Sequence, residues 1–214
     1  SYYRSTDHAA VYCKLGGGKW GQIGAYASQY PRSMQFVVDG NDIYGAYQGT
    51  CSAGVRMVIR NIKSGATVTD SLTTAIDFSD PRLVKTGNSF YMVCSEFPGF
   101  QSSTSTQIRE YNMSTGKWST KYTIASAFTN EHSMVKQGQK IYVFAGSSEE
   151  SSYMTVFDGN SWSTKPIVSI NHFSNASMDV VNGEIYLAFY DTDLGRGRLL
   201  KGTGTVLEEC GDRL

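Results

Sequence analysis

Ser33-Met34-Gln35-Phe36-Val37-Val38-Asp39-Gly40 runs into Ile43-Tyr44, and later in the chain Ser177-Met178-Asp179-Val180-Val181-Asn182-Gly183 runs into Ile185-Tyr186. The module recurs as Ser133-Met134-Val135-Lys136-Gln137-Gly138 before Ile141-Tyr142, and more loosely as Arg82-Leu83-Val84-Lys85-Thr86-Gly87 before Phe90-Tyr91. The turn glycines are spaced by 47, 51 and 45 residues and the tyrosines by 47, 51 and 44, which is the period of a propeller blade. After each hairpin comes a variable loop, a strand such as Met154-Thr155-Val156-Phe157, a turn such as Asp158-Gly159-Asn160 and a strand opening at Trp162-Ser163-Thr164. Each repeat thus supplies four strands. The dyads Ile43-Tyr44, Phe90-Tyr91, Ile141-Tyr142 and Ile185-Tyr186 put bulky apolar groups on both faces of one strand, so that strand must be covered on both sides. Blades sandwiched between neighbours meet that demand, which assigns the four tyrosines to the core.

The expected architecture is all-β, a single β-propeller domain over residues 1–214 built of four-stranded antiparallel blades. Ala9-Ala10-Val11-Tyr12, the glycine turn Gly16-Gly17-Gly18 and Trp20 match the third and fourth strands of a further repeat, and Thr205-Val206-Leu207-Glu208-Glu209-Cys210 reads as one more strand. Completing one blade with strands from both termini closes the ring at five blades, while four blades with extra terminal strands is the alternative. Trp20, Trp118 and Trp162 recur on outer strands. A large ring there seals one blade against the next, with stacking on a ligand as its second reading.

The 214 residues carry nineteen basic and nineteen acidic side chains, with only 18% of positions charged. That leaves no electrostatic footprint for nucleic acid, and no apolar run approaches the length of a membrane span. Gly at 22, Tyr at 14 and only four Pro suit short strands joined by tight turns. Cys13, Cys51, Cys94 and Cys210 lack the CxxC spacing of a zinc or thioredoxin-like site. Two disulfides are expected, Cys13 with Cys210 where the termini meet and Cys51 with Cys94 on adjacent blades, the alternative for the latter being two buried thiols. With the acceptor patterns Asn112-Met113-Ser114 and Asn175-Ala176-Ser177, they point to a secreted glycoprotein. His8, His132 and His172 are scattered, and the sequence holds no phosphate loop, dinucleotide fingerprint or nucleophile elbow. Neither a metal nor a cofactor is expected.

The order Trp20, Ile23, Phe36, Gly40 and Ile43-Tyr44 resembles the five-bladed tachylectin-type lectins, over nearly the whole chain. The resemblance implies multivalent sugar binding without catalysis, in shallow pockets on or between blades. A weaker similarity is to five-bladed glycosidases that cleave arabinans and xylans and present three carboxylates from the inner strands of successive blades. Asp80, in Ser79-Asp80-Pro81, and Glu131, in Asn130-Glu131-His132, each stand seven residues before a turn glycine, which places them at equivalent points of consecutive blades. This second similarity implies tuning of the acid's pKa by Asp80 and protonation of the leaving oxygen by Glu131. Where the general base is expected the chain reads Tyr30-Pro31-Arg32-Ser33. No carboxylate is there, and an inverting hydrolase without its base cannot activate water.

The expected ligand is therefore a glycan or glycoprotein, held without cleavage where the loops before the inner strands gather Arg32, Asp80, Glu131 and Asn175, with Tyr30 and Phe173 as stacking surface. The plainer readings are a turn residue before proline for Asp80 and a solvated rim charge for Glu131. A protein-binding propeller is the third reading, its contact surface the variable loops 49–54, 98–106, 147–152 and 191–197, and self-association into a homo-oligomer is compatible with each.

Overall fold

The computed structural model describes the backbone of residues 2–4, 9–16, 19–27, 32–51, 54–74, 77–97, 105–124, 131–146, 152–167, 170 and 172–210, and the side chains of residues 35–47, 57–71, 81–95, 105–124, 132–146, 152–167, 170 and 172–210. An N-terminal sheet holds β1 (Tyr2–Arg4), β2 (Ala9–Gly16) and β3 (Lys19–Ala27). The first four-stranded blade holds β4 (Arg32–Asp39), β5 (Asp42–Cys51), β6 (Gly54–Asn61) and β7 (Thr67–Thr74). The second holds β8 (Asp77–Thr86), β9 (Ser89–Phe97), β10 (Ser105–Asn112) and β11 (Lys117–Ile124). The third holds β12 (Glu131–Gln137), β13 (Lys140–Gly146), β14 (Ser152–Phe157) and β15 (Trp162–Ile167). The fourth holds β16 (Phe173–Val181), β17 (Glu184–Asp191), β18 (Arg196–Thr203) and β19 (Val206–Glu209). Every sheet is an antiparallel meander in chain order, as a repeat of hairpins dictates.

The hairpin glycines carry the conformation their turns require, with φ of 57° at Gly40, 54° at Gly87, 61° at Gly138 and 84° at Gly183. The first strands of the four blades, β4, β8, β12 and β16, lie beside one another in that order. Between the blades run three apolar seams. Tyr44, Ala46 and Met57 of the first blade meet Phe90, Met92 and Cys94 of the second, with the Tyr44 and Phe90 rings edge to face at 5.1 Å. Ile108 and Ile124 of the second meet Ile141, Val143 and Ala145 of the third. Tyr142, Phe144 and Met154 of the third meet Phe173, Ile185, Leu187 and Phe189 of the fourth. The layout is that of a β-propeller, with four sheets of four strands and one of three among the described residues.

Several expectations change. The C-terminal strand does not join the N-terminal sheet, because Val206–Glu209 pairs with β18 inside the fourth blade, from Thr203↔Val206 to Leu200↔Glu209. A tight turn through Gly204, at φ 66°, makes that local pairing far easier to close than a crossing to the other end of the chain. Tyr44 and Tyr142 are buried as expected, whereas Tyr91 and Tyr186 are half-buried. On β17 the side chains alternate, with Ile185, Leu187 and Phe189 against the third blade and Ala188 and Tyr190 exposed on the other face. Among the described residues neither disulfide is found, and for Cys94 the alternative of a buried thiol holds. Cys210 is a thiol, and Cys94 is a buried thiol whose Sγ lies 3.9 Å from the Gln107 carbonyl oxygen. The side chains of Cys13 and Cys51 fall outside the described residues.

Candidate functional site

The residues assigned to the ligand site stand at the starts of the four inner strands, and the register there decides which of them correspond. Counting from the dyad tyrosine, the fourth residue onward pairs with Arg32 in the first blade (Gln48), Ser79 in the second (Ser95), Glu131 in the third (Gly146) and Ser174 in the fourth (Tyr190). Three of the four strands then insert one extra residue: Ser33-Met34, Asp80-Pro81 and Asn175-Ala176 each span the place that His132 alone fills in β12. These are β-bulges, and they re-aim the residues they contain. Pro81, which has no N–H to give a ladder, and Asn175, at φ 55°, are residue types such a bulge accepts.

The equivalence expected of Asp80 and Glu131 is thereby corrected. Glu131 corresponds to Ser79, and Asp80 corresponds to Ser33 and Asn175 within the bulges. The backbones of Arg32, Asp80, Glu131 and Asn175 do share one end of four adjacent inner strands. The side chains of Arg32, Asp80 and Glu131, and all of Tyr30, lie outside the described residues. Asn175 is exposed and donates its amide to Ser174 Oγ at 3.3 Å. Phe173 cannot offer stacking surface. It is fully buried, 5.0 Å from the Phe144 ring and 6.2 Å from Phe189, because an aromatic at this strand start fills the seam where β13 of the preceding blade ends in Gly146.

Two further side chains fix this end of the inner strands, and no motif in the chain marks them. Gln35 accepts from the Leu83 N–H at 3.1 Å and donates to the Pro81 carbonyl at 2.9 Å, tying the first blade to the bulge of the second. Ser133, at the matching position of the third blade, accepts from the Met178 N–H of the fourth at 2.9 Å. In the first and third blades the polar residue paired two positions past the dyad tyrosine thus satisfies a backbone donor of the next blade. Arg82 holds that position in the second blade and, having no acceptor, cannot repeat the contact.

Trp118 and Trp162 seal blades. Trp118 Nε1 donates to Ser71 Oγ of the preceding blade at 3.1 Å, and its ring lies 5.3 Å from Tyr111. Trp162 lies against Tyr91 and Tyr122 of the preceding blade, each at 6.1 Å. Trp20 lies on β3, its side chain outside the described residues. Burial chiefly, and the neighbouring Glu110 carboxylate as well, push the Tyr91 hydroxyl up to about 12.

At the opposite, hairpin end, Asp39 bridges three blades: its carboxylate accepts from Lys85 Nζ at 2.7 Å and Lys136 Nζ at 2.8 Å. Hydrogen bonds from Lys136 and then Lys85 hold the Asp39 carboxyl below its usual range. Lys85 also donates to the Gly87 carbonyl at 2.9 Å and lies 5.7 Å from the Tyr44 ring centroid. Around the two lysines the inner strands line an open pocket of about 250 Å³, with Phe36, Val38, Leu83, Met134 and Val180 and the carboxylate-bearing Asp179 in its walls. Among the described residues no three His, Cys, Asp or Glu side chains gather as metal ligands. His132 is buried on β12, and His172 is exposed and paired with Asp193.

No family model matches the sequence, and no curated protein is similar to it. Solved structures are similar in fold. One is YjhT, with a TM-score of 0.67 at 12% identity, over 96% of this chain and 78% of that one. Another is the lectin of Aleuria aurantia, a six-bladed β-propeller that recognises fucose, with a TM-score of 0.64 at 13% identity, over 94% of this chain and 70% of the lectin. A third is a GH43 enzyme from Xanthomonas citri, with a TM-score of 0.56 at 8% identity, over 85% of this chain and 74% of the enzyme. At such identities the likeness establishes the propeller fold and leaves function to the residues.

Proposed function

We propose that the protein is a carbohydrate-binding propeller that holds a glycan, without cleaving it, at the opening where the inner strands begin. The observation that carries this reading is the register of those strands. By backbone register the first blade has Arg32 and Ser33, and the fourth Ser174 and Asn175, where the third has Glu131 and the second Asp80, so the two carboxylates are out of step and these four described strand starts supply no third. Side chains of this kind hydrogen-bond sugar hydroxyls, while inverting hydrolysis needs a base that these four strand starts do not supply. Fold similarity to a fucose-recognising lectin and to a GH43 enzyme supports a saccharide ligand by analogy.

The same proposal takes β1–β3 as a fifth blade and the chain as an exported glycoprotein. Asn112 and Asn175 would be its attachment sites, although a glycan on Asn175 and a ligand at that side chain exclude each other. A glycan array tests the reading. Binding to one glycan family, weakened by Asp80→Ala and by Glu131→Ala at unchanged melting temperature, is the expected result, and an array without signal overturns it.

A further inference from the structure

We propose that the strand-start edge of the fourth blade carries a second saccharide site, in which Tyr190 is the stacking platform for a neutral sugar ring and Asp193, fixed by His172, takes its hydroxyls. The proposal rests on the carbohydrate reading but not on the opening at Asp80 and Glu131.

It starts from a break in the repeat. The β17 residue paired with the strand start is Tyr190, where the first three blades have Gln48, Ser95 and Gly146. In the third blade that position must be small, because a Cβ on Gly146 would lie 2.7 Å from the Phe173 ring of the next blade. Tyr190 instead stands 44% exposed on the face of β17 turned away from the third blade. A large aromatic exposed at the one position that the repeat otherwise keeps small or polar is not serving the seam between blades.

Among the described residues its cross-strand neighbours are too small to cover the ring. Across the sheet Tyr190 pairs with Ser174 on one side and Gly197 on the other, and even a Cβ on Gly195 would only reach 4.0 Å from its hydroxyl. Sugar C–H faces stack on aromatic rings left open in this way. Polar groups stand at the same edge. Thr192 N–H donates to the His172 carbonyl at 3.1 Å, closing a rung just beyond the Phe173–Asp191 pair, and His172 Nδ1 lies 2.7 and 2.9 Å from the two Asp193 carboxylate oxygens.

The turn that carries Asp193 is itself anchored. Asp191 accepts from the Leu194 N–H at 2.9 Å and from Arg198 at 2.8 Å, so the hydroxyl acceptor is held in place before a ligand arrives. Its negative charge disfavours acidic sugars, which makes a neutral one the fitting ligand.

The test uses protein made in bacteria, so that Asn175 carries no glycan, titrated with xylotriose and with methyl α-L-fucoside while NMR follows the Tyr190 ring resonances. Tyr190→Ala and Asp193→Ala are each expected to weaken binding by about tenfold, and Tyr190→Phe, which keeps the stacking face, to stay within about twofold of the parent. Affinity unchanged by Tyr190→Ala overturns the site. If affinity then falls with Asp80→Ala or Glu131→Ala, the opening stands and only this second site is lost. Binding of neither sugar overturns this second site, while the opening at Asp80 and Glu131 is decided by the glycan array.

Discussion

Tyr142 and Tyr186 occupy the same position of the repeat under different cover, so truncating each to alanine reads the packing between blades directly. Tyr142 is 3% exposed in the seam between the third and fourth blades, and its hydroxyl donates to Gln137 Oε1 at 3.3 Å. Tyr186 is half-buried on the outward face of the fourth blade, its hydroxyl 3.2 Å from Glu184 Oε2. A buried tyrosine removes roughly 150 to 200 Å² from water, worth about 4 to 5 kcal/mol at roughly 25 cal/mol per Å². The seam around Tyr142 includes Phe144, Ile185 and Leu187, each fully buried, and cannot collapse into the space left behind. Tyr142→Ala is therefore expected to cost about 3 to 5 kcal/mol. For a chain of this size that lowers the melting temperature by roughly 6 to 20 °C. Tyr186→Ala is expected to cost about 1 kcal/mol. Thermal unfolding followed by circular dichroism makes the comparison. Equal losses, or a loss below about 1 kcal/mol for Tyr142→Ala, would refute the argument that neighbouring blades cover the dyad.

Removing the Asp39 charge should loosen three blades together, since Asp39→Asn leaves Lys85 and Lys136 facing each other without their counter-ion; after discounting for solvent screening the expected cost near neutral pH is about 1 to 2 kcal/mol. Because the folded-state pKa of Asp39 is lowered, its contribution is complete above the pKa of the unfolded carboxyl, near about 4, and disappears as pH falls through the folded value. Denaturant titrations of parent and variant should accordingly converge in acid, and a gap that persists there would contradict the role of the carboxylate. Gly146→Ala would set a methyl 2.7 Å from a Phe173 ring that is fully buried and has no room to retreat, with an expected loss of about 1 to 3 kcal/mol; unchanged stability would show that the seam yields there.

The repeat was legible because it is written locally: a glycine at each hairpin, an apolar-aromatic dyad after it and a tryptophan opening an outer strand each state their own backbone or packing need. Spacing alone failed at Asp80 and Glu131, where equal distances from the turn glycines conceal a bulge in β8 that β12 lacks. Pro81 within a strand and Asn175 were the available hints, since a proline and a residue at ease with positive φ both favour a bulge. Phe173 was misjudged because burial depends on the facing Gly146, which is distant in the repeat. The Asp39 cluster joins residues 46 and 97 positions apart, and only the convergence of the inner strands brings them into contact. At the C-terminal strand the local signal outweighs ring closure, because the hairpin through Gly204 pairs Val206–Glu209 with the strand just before it.

Binding without turnover is the central claim, and one experiment tests it most directly: calorimetric titration with the best ligand from the array, with new reducing ends assayed in the same samples after prolonged incubation. The expected result is saturable binding that Glu131→Gln weakens or leaves intact, with no reducing ends above the protein-free control. Release of reducing sugar by the parent, abolished by Glu131→Gln, would contradict the claim, because that substitution keeps the side chain's shape and polarity while removing its transferable proton.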